Sequence, residues 1–399
     1  MWSAWGTKKS YQSVRTEDDD QESTNLEELK ARHAQAKKSL TRLLLHRGLF
    51  VPIVVLILLL AAGVSVAYFT VWRSSITPPI AEISPNAPAT VASPTAPGAA
   101  TFSETLSEGG CHKRREWRTL SQEEKQHYIS SVHCLLDHPS VFPGHAIKNS
   151  TLYEDFPWIH SHAGYYTHDS ASFLPWHRYF LHIYETTLRR ECGFEGELVY
   201  WDWTQDWEDL AHAPVFDGKS GFGGDGDPQG EVTIGKTGRC VVDGPFADVE
   251  ARFYDVKFQP HCLSRGFTDD QGNRRIDGTA VSPESISNVL ALDRYDHFVS
   301  KMESVVHDAI PFGIGGDFQT FTAPYDPLFY LHHVQLDRLW WMWQQQDNRT
   351  WEYNGYKQRH SMEMASLDDV LIYQGLAEDV KVEEMMDTQK EGGLICYTY

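Results

Sequence analysis

The chain has 399 residues, a formal net charge of −20 and 13% aromatic residues. That length suffices for a full core, and 41% hydrophobic residues exclude a disordered chain. The acidic balance repels phosphate backbones and excludes nucleic acid as a partner.

Residues 1–48 are polar, with an acidic cluster at Glu17 to Asp20, and read as a cytosolic, mostly disordered tail. Leu49 to Trp72 is a run of 24 residues without a charge. A helix of that length crosses a ~30 Å hydrocarbon layer, so residues 49–72 are expected to form one transmembrane helix. Lys37, Lys38, Arg42 and Arg47 precede this span, whereas only Arg73 follows it closely. The positive-inside rule then places the N-terminus in the cytosol and the bulk of the chain in the secretory-pathway lumen or outside the cell. Residues 73–110, rich in Pro, Ala, Ser and Thr, read as an extended stalk. The globular domain is expected at 111–399.

All six cysteines, from Cys111 to Cys396, follow the apolar run, and none forms a CxxC pair. Disulfides fit a lumenal domain, with connectivity left open. Asn149-Ser-Thr and Asn348-Arg-Thr are glycosylation sequons on the same side.

Ser121 with Glu124 resembles a capping box that opens a helix toward Leu136. The stretch from Trp176 to Arg190 predicts a helix. Another is expected with Ser282 as cap and Pro283 at the first position, running toward Asp308 with a break. Pro327 to Gln346 predicts a further one. Residues 217–239 are glycine-rich and read as a loop. Gly221, Gly223 and Gly226 fit GxGxxG by count but follow no strand, which excludes a dinucleotide site.

Nineteen histidines justify a metal search. His160, His162, His168 and His177 fall within 18 residues, the last inside Phe173-Leu-Pro-Trp-His-Arg178. Imidazole nitrogens suit copper, and three around one ion leave an open side for oxygen or substrate. A second stretch reads Tyr325-Asp-Pro-Leu-Phe329, then His332, His333 and Asp337. His333 and Asp337, four apart, share a helix face, and the Asp can support the register of the metal helix. Upstream lie Glu303, His307, Asp308 and Pro311.

These two stretches resemble the copper-A and copper-B signatures of the short fungal tyrosinases, or polyphenol oxidases. The similarity extends through Tyr200-Trp-Asp-Trp203, Gly244-Pro-Phe246 and His261-Cys-Leu-Ser-Arg265. It implies a mainly α domain built on a four-helix-bundle core with long loops, holding two coppers. Carried over, His160, His168 and His177 would bind copper A, and His307 and His333 copper B. His162 competes for the first place, but the family's spacing favours His160. His182 and His332 stand beside the motifs and imply core or supporting roles.

Where the family reads His-x-x-x-His at copper B, this chain has Pro311 four residues after His307. Proline offers no nitrogen to a metal and disfavours continuing a helix. Two imidazoles should hold copper B weakly unless His297, His332, water or a substrate group completes it. Asp308 takes the place of the usual Asn, where the family orients a proton-accepting water together with a Glu such as Glu303. Asp308 could act as a base itself or be a solvated helix-end residue. Tyr166 stands where larger fungal enzymes carry a thioether-linked Cys.

The resemblance implies a copper-dependent oxidoreductase that uses O2 on a phenol, tyrosine-like, a secondary-metabolite intermediate or a peptide tyrosine, and converts it toward a quinone. A non-catalytic or mononuclear-copper relative is the alternative that Pro311 raises. An oxygen carrier fits the anchor and small size less well.

Overall fold

A computed structural model describes residues 110–142, 149–268 and 276–399. The predicted membrane span and stalk lie outside the described residues. Among those described, no helix is long and apolar enough to cross a membrane.

The domain is mainly helical, with strands confined to two-stranded pairs. Helix α1 (Gln122–Asp137) opens on the predicted capping box: the Ser121 hydroxyl accepts from Glu124 N–H and the Glu124 carboxylate accepts from Ser121 N–H. Helix α2 (Leu152–Thr167) opens on a second box of the same kind, Thr151 with Glu154. Helix α3 (Phe173–Cys192) ends at Gly193, whose φ of 63° places it in the left-handed region that favours glycine. Helix α4 (Pro283–Leu290) starts as expected, with Ser282 as cap and Pro283 in its first turn. It stops at Leu290, and α5 (Tyr295–Lys301) begins afresh after a short non-helical link.

From α5 the chain enters a wide, π-helical turn, Met302–His307, closed by a bond from Asp308 N–H to the Glu303 carbonyl. Helix α6 (Asp308–Ile314) follows directly and contains Pro311. The expected interruption at Pro311 is therefore not seen. The carbonyl left without the Pro311 N–H in an α-helix is that of His307, which is where the wide turn ends. Helix α7 (Leu328–Gln344) is the last long one.

Helices α1, α2, α3 and α7 pack on one another through a continuous apolar core. Phe156 of α2 meets Phe180 and Tyr184 of α3 edge to face, and Tyr184 stacks on Tyr330 of α7 at 3.5 Å. Trp340 and Trp343 are buried, as a packing role requires. Asp337 supports α7 differently from a direct contact with His333. Arg178 Nε of α3 donates to Asp337 Oδ1 at 2.5 Å, and Tyr397 and Tyr399 donate to Oδ2 at 2.6 and 2.5 Å. Arg114 bridges Asp337 and Glu185. This buried network locks α3 to α7 beside His177 and His333 and ties in both ends of the domain.

The six cysteines form three disulfides, Cys111–Cys396, Cys134–Cys192 and Cys240–Cys262. The first joins the strand His112–Lys113 to its parallel partner Tyr397–Thr398.

Candidate metal centre

His160 sits in the middle of α2. His168 caps the same helix, and His177 lies in the second turn of α3. Their rings converge: His160 Nε2 lies 3.1 Å from His177 Nε2 and 3.4 Å from His168 Nε2. Nitrogens that share one ion at ~2.0–2.1 Å stand about this far apart.

Each ring is turned by a partner behind it. His160 Nδ1 donates to the Phe321 carbonyl at 2.6 Å, and His177 Nδ1 to the Phe173 carbonyl at 2.7 Å. His168 Nδ1 lies 2.9 Å from the Glu303 carboxyl. Burial pushes His160 and His177 well below the usual imidazole range and His168 down to about 3, with neighbouring rings adding to the effect. The rings stay neutral at physiological pH and keep a lone pair for a metal.

The second cluster is His307, His332 and His333, one ring nitrogen of each within 4.8 Å of the others. His307 ends the wide turn, and its Nδ1 meets Asp308 Oδ1 at 2.9 Å. His332 and His333 come from α7. Both ring nitrogens of His333 are buried with no hydrogen-bond partner among the described residues, as is Nε2 of His332. The two orphaned nitrogens of His333 leave room for a metal. The two clusters adjoin, with the His177 ring stacked on that of His333 at 4.4 Å and His168 5.5 Å from His307.

Between them opens a pocket of ≈ 250 Å³ lined by His160, His168, His307, His333 and the rings of Phe312, Phe318, Phe321 and Phe329. Pro311 lines it too, so the position that lacks an imidazole faces the site. Glu303 is buried and Asp308 partly exposed at the mouth; both hold histidines through Nδ1. His162 turns its Nδ1 to the Trp158 carbonyl and stays out of the cluster. His182 stacks near Tyr179, and His297 is exposed on α5 against a different pocket. Tyr166 is exposed.

Sequence reasoning missed several contributors. The Phe321 carbonyl behind His160 and Arg359 at the mouth, paired with Asp169 at 3.0 Å, carried no motif. Trp203, which donates to His332, lay within a quoted motif but without a role.

The pattern named "Common central domain of tyrosinase" matches residues 150–346. Tyrosinase ustQ of Aspergillus flavus is 47% identical over 288 residues, covering 72% of this chain and 78% of that protein. The chain belongs to the tyrosinase family. The N-acetyl-6-hydroxytryptophan oxidase ivoB of Emericella nidulans is 31% identical over 337 residues, covering 72% of this chain and 91% of that protein. A polyphenol oxidase variant from Thermothelomyces thermophila superposes with a TM-score of 0.63 at 26% identity, covering 74% of this chain and 90% of the other. Tyrosinases are type 3 dicopper proteins, and this member is a copper oxidoreductase for phenolic substrates.

Proposed function

We propose that His160, His168 and His177 hold one copper, that His307 and His333 hold the second, and that a tyrosine-like phenol is oxidised toward a quinone between them. The observation that carries this reading is the pair of adjoining histidine clusters on one phenylalanine-lined pocket. When bound, the copper pair supplies the binding and activation of dioxygen. The apolar walls take one aromatic ring and exclude bulk water. Glu303 and Asp308 act as positioning residues, each fixing the ring of a copper-facing histidine from its Nδ1 side. Asp308 and Phe312 also border an open groove along α4 and α6. That continuity supports a phenol borne on a longer molecule, such as a peptide tyrosine or a secondary-metabolite intermediate.

The test is copper content by mass spectrometry, with oxygen uptake on a catechol, a monophenol and a tyrosine peptide. Two coppers per chain with uptake on a phenol are expected, both abolished by His177→Ala with His333→Ala. One copper and no uptake would favour the mononuclear reading that Pro311 raises.

We also infer a single-pass membrane protein with its copper domain in the secretory lumen or outside the cell. Three disulfides among the described residues support an oxidising compartment, and Asn149 and Asn348 of the sequons are exposed. Protease protection of the domain in sealed microsomes and a glycosidase-induced mobility shift are expected. Domain cleavage without detergent would overturn this topology.

A further inference from the structure

Three histidines around the pocket, His160, His177 and His307, face an acceptor with Nδ1. An acceptor there takes the N–H and leaves the lone pair on Nε2. His332 is built the other way. Trp203 Nε1 donates to its Nδ1 at 3.2 Å. An indole N–H only donates, so Nδ1 must carry the lone pair and the neutral ring's single proton sits on Nε2. One nitrogen has spent its pair on the indole and the other carries hydrogen. Neither is free for a metal. Trp203 is itself wholly buried and held in a short turn closed by Asp206 N–H to its carbonyl, so the donor has little room to swing aside.

We propose that Trp203 withholds His332 from the second copper, so that this site has two imidazole ligands, His307 and His333, with His332 beside them as a hydrogen-bond donor. The proposal rests on the reading of His307 and His333 given above. Proximity alone would have made His332 the natural replacement for the imidazole missing at Pro311. Its hydrogen bond argues the reverse. The Nε2 proton has no acceptor among the described residues.

The tautomer is read directly from long-range proton–nitrogen spectra of the metal-free, full-length protein labelled in histidine, with the His332 signals identified by their loss in His332→Gln. The Nε2–H form is expected for His332 and the Nδ1–H form for His160 and His177. Cu(I) is then titrated against a competing chelator. His332→Gln should keep both coppers, with the second bound within about threefold of the unaltered protein, whereas His333→Gln should weaken it by about tenfold or more. Trp203→Phe removes the donor, so His332 becomes free to bind, the second copper tightens by about tenfold, and the double variant Trp203→Phe/His332→Gln loses that gain. An Nδ1–H tautomer at His332, or a loss in His332→Gln equal to that in His333→Gln, would overturn the proposal. The spectra decide the tautomer even where Trp203→Phe or His333→Gln fails to fold. Absence of copper from the unaltered protein would instead sink the oxidase reading and leave the tautomer assignment standing.

Discussion

Glu303, from the helix that carries His307, reaches across to the other cluster and meets His168 Nδ1 at 2.9 Å. Both of its oxygens also accept from Asp169 N–H at 2.9 Å. One side chain therefore fixes a ring of the first site and the loop behind it from the backbone of the second. Glu303→Ala should lower copper affinity at the first site by about 10–100-fold, measured by chelator competition. Glu303→Gln keeps an acceptor and should lose far less; equal losses would mean that contact with His168 is not what matters.

The same carboxyl makes a pH prediction. Burial pushes Glu303 from 4.5 up to about 8, against the opposing pull of the Asp169 N–H. The folded state thus holds this proton more tightly than the unfolded chain does. Its contribution to stability is complete below the unfolded value and is lost as pH rises through the folded one. Urea unfolding of the metal-free protein should show stability falling between about pH 5 and about pH 8.5 more steeply than in Glu303→Gln. Parallel profiles would contradict a raised carboxyl.

Pro311 lines the pocket in a helix that runs through it unbroken. Pro311→His therefore adds an imidazole with a free lone pair without asking for a new fold. The second copper should tighten by about tenfold or more, equivalent to about 1.4 kcal/mol, with the first unaffected. No change in the second affinity would show that position 311 cannot reach the metal.

Asp337 faces two buried arginines, Arg178 and Arg114, and two tyrosine hydroxyls. Asp337→Asn leaves the buried Arg178 guanidinium without its carboxylate, while Arg114 keeps Glu185, and should cost about 3–5 kcal/mol in chemical denaturation. A loss below about 1 kcal/mol would show that solvent reaches the pair.

Gly164 lies where a methyl group would sit 2.4 Å from Phe321 Cδ1. Phe321 also supplies the carbonyl that orients His160. Gly164→Ala should shift that segment, destabilise the fold by about 1–3 kcal/mol and weaken copper at the first site. Unaltered copper binding would separate the ring of Phe321 from its carbonyl.

Helix starts were legible wherever a local hydrogen bond writes them into adjacent residues. Ser121 with Glu124 and Ser282 before Pro283 both capped as read. The course through Pro311 was not legible, because the wide turn before it depends on a bond between Asp308 and Glu303 that no periodicity announces. The preference for His160 over His162 came from the family resemblance alone; helix geometry sets the two on different sides, and only packing shows that His160 is the one beside His168 and His177. The placing of His332 beside His307 and His333 was only half legible: its neighbour's motif was clear, but its own surroundings come from elsewhere.

By itself the sequence determined which imidazoles exist, how they are spaced on their helices and that Pro311 interrupts the set. Helical geometry fixes the spacing within a few residues, and the family resemblance marks Pro311 as the gap. Only the tertiary structure decided which nitrogen of each ring is free. That is set by a donor or acceptor brought up from far along the chain: the Phe321 carbonyl behind His160, Glu303 behind His168 and Trp203 against His332. A ring's tautomer follows the partner at its back, and such partners meet only when the core has packed.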